Sequence, residues 1–447
     1  MIWIQFILLL AMIFIGSQLK GIGLGVMGMI GMLIFVLVFH MKPTDPPLDV
    51  MLIILSIVTT AASLQAAGGL DYLVSVAEKV IRSKPSQITF IAPFTVYFLC
   101  LFAGTAHIVY SLLPIIAEVS AKKRIRPERP LSISVIASHL ALTGSPMSAA
   151  TAALVAILAT SGIQVTDVLM IGIPAGIIGT GLGALSVWKM GKELNDDPIF
   201  QEKMKDPAFA KTIDGSDNET TKTIAPGAKT AVGIFGVAIL LIVLFGAFPQ
   251  WVPNVGAGDA NFSVNADGSL KMGTLIEIIT LSAAAAILLI TKTPATDVAK
   301  ASLFTSMATA VVSVFGVVWM SATFMAHNQI SITELLGDIS KAYPWTFTFA
   351  IFIMGVLMFS QAATTKTMMP LGLTLGITAP NLIAMFPAVN SDFVLPGYPT
   401  LLAAINFDRT GSTKIGKYII DHSFLRPGLV ALGTAIIVGF ILTKFLL

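Results

Sequence analysis

Leu142-Thr143-Gly144-Ser145-Pro146-Met147-Ser148-Ala149-Ala150 lies in the middle of an apolar run, Leu131 to Thr160, that is otherwise long enough to cross a bilayer. Pro146 has no backbone donor and its ring clashes with the carbonyl of Leu142, while Gly144 weakens a helix further, so the run is expected to break here. A break at mid-membrane depth exposes polar backbone, which survives only where it lines a cavity or is buried in protein. Ser145 followed by Pro146 reads as the N-cap and first position of a new half-helix, whose N-terminus carries roughly half a positive charge and suits an anion. The plainer alternative is a kink whose hydroxyls bond back to their own backbone.

Composition fixes the class around this stretch. Hydrophobic residues make up 55% of the 447, charged residues 11%, and the mean hydropathy is +0.87, the makeup of an all-α polytopic membrane protein. Its solvent is lipid, and a net charge of +3 with the basic residues mainly in short loops gives no sign of a nucleic-acid partner. The single cysteine, Cys100, excludes an intramolecular disulfide. Residues 2–15 have an apolar core without a preceding basic region and read as a first spanning segment.

Apolar runs at 2–16, 21–39 and 49–67 predict membrane helices, and the glycines of the second run, Gly21 to Gly31, predict close helix packing, since no strand precedes them as a dinucleotide fingerprint requires. Residues 70–87 suggest an interfacial helix, and 88–118 a re-entrant hairpin centred on Gly104-Thr105-Ala106-His107. The densest basic cluster, Lys122 to Arg129, reads as a cytoplasmic topology determinant. Counting outward from it, the broken segment 131–160 and then 168–188 cross, and 189–229 forms a charged cytoplasmic linker. Crossings at 230–249, 274–291 and 301–323, a second hairpin at 346–376, a further broken segment at 382–405 and a last helix complete about 10 crossings plus two hairpins. Both termini are then periplasmic.

The second half repeats the first. Pro85 stands twenty residues before Thr105 and Pro344 twenty before Thr364, each opening an apolar stretch with a hydroxyl-rich centre. Each centre is followed by a proline (Pro114, Pro370) and later by a second break, Gly144-Ser145-Pro146 or Leu395-Pro396-Gly397-Tyr398-Pro399-Thr400. By the topology count the halves, 1–188 and 230–447, run in opposite senses. Two inverted-topology repeats with broken helices at the midplane are the pattern of secondary transporters.

At these residues the chain resembles the anaerobic C4-dicarboxylate transporters of the Dcu A/B family. The similarity is carried by Gly104-Thr105-Ala106-His107-Ile108-Val109-Tyr110, Ile125-Arg126-Pro127-Glu128-Arg129-Pro130, Ser145-Pro146-Met147-Ser148, Tyr398-Pro399-Thr400 and Phe407-Asp408-Arg409-Thr410-Gly411, and covers nearly the whole chain. It implies an ion-transporter-superfamily fold in the bacterial inner membrane. The implied activity is exchange of fumarate, malate or aspartate for succinate, or their uptake with protons. Tyr398-Pro399-Thr400-Leu401-Leu402 looks nearer the aspartate-uptake branch.

A C4-dicarboxylate carries two negative ends, and the repeat offers two broken elements with hydroxyl donors. Thr105, Ser145 and Ser148 are therefore expected to serve one end and Thr364, Thr365, Tyr398 and Thr400 the other, each charged hydrogen bond contributing about 1.5–3 kcal/mol. His107 is suited to sensing the substrate or carrying a coupling proton, Lys366 is a candidate charge partner, His139 reads as a packing residue, and Glu118 and Asp392 as groups at the wet edges. No phosphate-binding loop or His-Glu-x-x-His motif occurs, so no cofactor or metal is expected and the chain does not read as an enzyme; Gly256-Ala257-Gly258-Asp259 resembles the membrane aspartyl protease motif but falls in a polar loop. The sequence leaves open a homo-oligomer, the choice of coupling ion, and whether the two long segments are hairpins or full crossings.

Overall fold

The computed structural model describes residues 2–19, 22–46, 48–214, 224–256, 258, 263–265, 267–301, 303–304, 308, 311–312, 315–316, 319–324, 326–328, 343–358, 360–395, 398–416 and 421–447. Parts of the expected crossing at 301–323, Ala257 and Asp259 of the loop motif, and Pro396-Gly397 lie outside them. Among the described residues all regular elements are helices, with isolated bridges only at Asn254–Ser269, Val264–Leu270 and Ile415–His422. Pro85–Ala103, Val165–Val187, Met272–Thr291 and Leu425–Leu446 are each long and apolar enough to cross a membrane; shorter apolar helices include Ala149–Leu158 and Pro344–Met358. The expected interfacial helix is Gly69–Ser83, which buries Gly69, Ala77 and Ile81 and meets the preceding helix at 71°.

The two halves are interlocked. Helix Val165–Val187 lies along Leu425–Leu446, and Ala149–Leu158 packs on Gln361–Thr374. Of the two large apolar cores, one joins Leu154 and Ala156 to Met368 and Leu382, the other Val96 and Ile136 to Leu401 and Leu432. Every residue of helix Glu128–Leu140 is buried, hydroxyls included, as befits a helix enclosed on all sides.

The basic cluster, expected to set topology, is also built into the fold by ion pairs. Arg126 bridges Glu128 at 2.6 Å and Asp197 at 2.9 Å, Arg129 bonds Glu193 at 2.6 Å and the carbonyls of Met190 and Gly191, and Arg124 pairs with Asp214 at 2.9 Å. Glu128 also accepts from Ser423 at 2.7 Å, and Lys203 donates to the Thr410 carbonyl at 3.0 Å. The linker expected as a charged loop is therefore partly helical, with Pro198–Met204 and Pro207–Asp214 clasped to the starts and ends of helices from both halves.

Asp197 has two tasks in this clasp, since its carboxylate also caps the Pro198–Met204 helix through Ile199 N and Phe200 N. Burial alone would raise this carboxyl; the two N–H groups and the Arg126 guanidinium outweigh it and hold it below the usual carboxylate value. A depressed folded-state value means stability that is present above the unfolded value and disappears as pH falls through the folded one. Asp197→Ala is thus expected to destabilise the detergent-solubilised protein by about 0.5–2 kcal/mol near neutral pH. The gap from wild type, read as melting temperatures, closes as the pH is lowered below about 3.9.

Candidate functional site

Four chain interruptions come together where the halves meet. In the first, helix Ile88–Ala103 ends at Gly104, left-handed with φ 67°, and Thr105 is extended, its hydroxyl accepting from His107 N at 3.3 Å to start a 3₁₀ turn. In the second, the 3₁₀ turn Ala141–Thr143 gives way to Gly144-Ser145-Pro146-Met147, and Ser148 is extended and caps helix Ala149–Leu158 through Thr151 N at 3.0 Å. In the third, Ser360 is extended and caps Gln361–Thr374 through Ala363 N. In the fourth, Tyr398 is extended and Pro399 opens helix Pro399–Phe407, with no side-chain cap.

Ser145 was expected to be the cap of the second break and is not. The new helix starts three residues later because Pro146 is taken up by the turn, while Ser145 donates across to the Leu101 carbonyl at 2.6 Å and accepts from Met147 N. This stitch ties the first two breaks together. The second half has a counterpart, Ser391 donating to the Phe352 carbonyl at 2.6 Å.

Most of the expected substrate hydroxyls are fully buried and already engaged. Ser148, the cap, donates across the break to the Leu142 carbonyl at 2.5 Å, while Thr364 donates to Ser360 O at 2.9 Å and Thr365 to Gln361 O at 2.7 Å, the back-bonding open to hydroxyls inside a helix. The Ser145 stretch thus has the expected break, and its hydroxyls are turned to backbone as the plainer alternative has it. Thr105 is half-buried, and His107 is exposed with its ring stacked on Tyr110, centroids 6.0 Å apart. Lys366 is buried, 5% exposed, with neither a carboxylate nor a hydrogen-bond acceptor paired to it among the described residues. It stands in the second turn of helix Gln361–Thr374.

Two residues assigned bland roles from sequence are central here. Asp392, expected at a wet edge, has no exposure, and His139, expected to be packing, bonds through both ring nitrogens. His139 Nδ1 is 2.9 Å from Asp392 Oδ1 and Nε2 is 2.9 Å from Thr400 Oγ1; Gln361 Nε2 donates to Asp392 Oδ2 at 2.6 Å. Tyr398 covers the imidazole edge-on, centroids 4.8 Å apart. Glu118 does lie at an edge, bridging Lys122 at 2.8 Å and Arg82 at 3.2 Å. In the sequence, Asp392 sits four residues before Pro396-Gly397 and invites a loop reading. The signal that could have found it is that a histidine, His139, shortly precedes the second break of the first half and a carboxylate, Asp392, that of the second.

With these hydroxyls engaged, what the breaks offer a small anion is the start of the half-helices, half-buried Thr105 and exposed His107, and a buried lysine, Lys366, that has no counterion among the described residues. Among the described residues no group of His, Cys, Asp or Glu side chains has the arrangement of a metal site. Residues 1–447 match the family described as anaerobic C4-dicarboxylate membrane transporter, DcuA/DcuB. The C4-dicarboxylate transporter DcuA of Wolinella succinogenes is 39% identical over 447 residues, all of both chains. The anaerobic C4-dicarboxylate transporter DcuB of Escherichia coli O157:H7 is 36% identical over 98% of this chain and 97% of its own. Among solved structures, the Alcanivorax borkumensis YdaH transporter aligns with a TM-score of 0.54 at 16% identity, over 90% of this chain and 86% of its own. Neisseria gonorrhoeae MtrF aligns with a TM-score of 0.54 at 13% identity, over 92% and 84%. At such identities the likeness is one of fold.

Proposed function

The chain belongs, over its whole length, to the DcuA/DcuB family of anaerobic C4-dicarboxylate membrane transporters, and on that footing we propose that it carries C4-dicarboxylates across the bacterial inner membrane. The substrates are aspartate, fumarate, malate and succinate, moved by exchange of one for another or by uptake with protons. The observation that carries this reading is Lys366, a lysine buried in the protein with no carboxylate beside it among the described residues. Such a charge is expensive, and inside a membrane protein it is retained where a ligand or pathway uses it.

One carboxylate of the substrate is met at the first break by Thr105, His107 and the N–H groups that follow. The other is met at the second-half breaks by Lys366 and by the start of helix Pro399–Phe407 below Tyr398. Ser145, Ser148, Thr364, Thr365 and Thr400 hold the breaks in shape through the bonds they already make, so their effect on affinity is through geometry. Moderate affinity suffices, since a carrier must also release. The basic clasp faces the cytoplasm and both termini the periplasm, in keeping with the positive-inside rule.

Counterflow in proteoliposomes tests the reading. Vesicles loaded with unlabelled succinate are expected to take up labelled fumarate or aspartate against its gradient, and vesicles loaded with a monocarboxylate are not. Absence of uptake of any C4-dicarboxylate by folded protein would exclude this substrate class and leave a carrier of another small organic anion. Within the site, His107→Gln is expected to raise the half-saturation for dicarboxylates about 10-fold, since it removes a charged or polar partner of one carboxylate; an unchanged value would take His107 out of the site.

A further inference from the structure

The His139–Asp392 pair is not accounted for by dicarboxylate binding. His139 lies in the first half of the chain, and the groups around its ring, Asp392, Thr400 and Tyr398, all lie in the second, so the pair is a polar joint in an otherwise apolar seam. Both side chains are without exposure. A core built for stability alone would do as well or better with apolar residues of similar volume, so an ionisable pair kept at this depth points to use.

The hydrogen bonds define what that use can be. Gln361 Nε2 donates to Asp392 Oδ2, so that oxygen is held as an acceptor, and the carboxylate accepts at Oδ1 from His139 Nδ1–H. The remaining ring nitrogen, Nε2, faces a hydroxyl that can serve either way. With a neutral imidazole, Thr400 O–H donates to Nε2; with an imidazolium, Nε2–H donates to Thr400 Oγ1. One added proton bonds to the Nε2 lone pair, the hydroxyl turns, and both ring nitrogens keep their partners. The charge of the pair changes from minus one to zero.

The titratable groups nearest the pair are Tyr398, edge-on to the ring, and His107 with its neighbour Tyr110, His107 being within electrostatic reach of His139. Of the elements packed against the pair, Gln361–Thr374, which brings Gln361 to Asp392, carries Lys366, and His139's own helix carries Glu128 and Arg129 at its start, both ion-paired. Helices Ile88–Ala103 and Pro399–Phe407 carry no charged residue; Leu425–Leu446 has Arg426 and Lys444 only near its ends, and Val165–Val187 has Asp167 only in its N-terminal cap. On Leu113–Lys122, Glu118 and Lys122 are paired with each other, and Phe386–Phe393 brings Asp392 alone.

We propose that His139 and Asp392 form the binding site of a coupling proton, which is taken up on His139 Nε2 and held between the two halves. The proposal rests on the dicarboxylate reading for its consequence. A proton on the pair removes a negative charge next to the breaks, so dianion and proton load together, and release of one weakens the hold on the other. His107, exposed and stacked on Tyr110, is within electrostatic reach of the pair.

Two measurements test this. Succinate binding to the purified protein is expected to tighten as pH falls, by up to tenfold per unit for one linked proton, and His139→Gln and Asp392→Asn are each expected to flatten that slope. A slope retained in either variant, or a wild type without one, would overturn the proposal. The second measurement needs no substrate: in protein labelled with 15N-histidine, one of the five imidazoles, identified by its loss in His139→Gln, is expected to pass between its neutral and doubly protonated forms over the pH range in which succinate binding changes. A His139 signal fixed in one form throughout would overturn the proton site even if dicarboxylate binding is normal, and a titrating His139 in protein that binds no dicarboxylate would place the failure in the transport reading instead.

Discussion

Lys366→Met is expected to make the protein more stable and nearly unable to bind its substrate. The ammonium is buried with no counterion among the described residues. Taking an ion out of water costs several kcal/mol, so an apolar side chain of similar length at this position should stabilise the fold by about 1–4 kcal/mol. The same change removes a positive charge that the proposed site offers a carboxylate, a loss of about 1.5–3 kcal/mol in binding, or roughly 10- to 150-fold in affinity. Thermal unfolding and equilibrium succinate binding on the same preparation read both effects. A destabilised variant with wild-type affinity would mean that Lys366 is a structural residue with a partner of its own.

The second large effect is at Gly104. A Cβ there would lie 2.4 Å from the Cβ of Met147 and 2.7 Å from its carbonyl carbon and oxygen, and the residue has a φ of 67°. The left-handed conformation alone costs an L-residue about 1–2 kcal/mol, and forcing a methyl into a packed backbone adds about 1–3 more. Gly104→Ala is therefore expected to destabilise by about 2–5 kcal/mol and to separate the first break from the second, abolishing transport. Gly162→Ala is the control: φ is 80° but nothing lies within 4 Å of the added carbon, so only the conformational cost of about 1–2 kcal/mol is expected, with transport retained. Equal losses in the two variants would show that the contact with Met147 contributes nothing.

Much of this architecture could be read from the sequence because it follows from local rules. Pro146, Pro399 and Gly104 disfavour helix continuation, and a lipid environment turns each break into a place where polar backbone must be met by protein or ligand. The exact start of each half-helix was less legible. At Ser145-Pro146 the local pattern for a cap was correct in kind but three residues early, since the choice between Ser145 and Ser148 is made by a tertiary contact, the Leu101 carbonyl that engages Ser145. The role of Lys366 could be suspected because any lysine in an apolar run demands an explanation.

His139 and Asp392 were misjudged for a different reason. They are 253 positions apart and neither is remarkable within its own segment; only the packing of helix Glu128–Leu140 on the 3₁₀ segment Phe386–Phe393 brings them to 2.9 Å. The basic cluster was read by its charge alone, and its ion pairs with Asp197, Glu193 and Asp214 became visible only once the linker folded back on it. Periodicity and breaks report what one segment does; partners between segments are set by the fold.

The central claim is that a C4-dicarboxylate occupies the seam where the breaks meet. Its most direct test is substrate protection of a cysteine at Thr105, the half-buried residue that starts the first break; the native Cys100 is fully buried and serves as an unreactive background. In Thr105→Cys protein that retains counterflow, succinate is expected to slow thiol labelling saturably, at the concentrations that support counterflow, while butyrate leaves it unchanged. Labelling at the same rate in saturating succinate would place the substrate elsewhere and contradict the account.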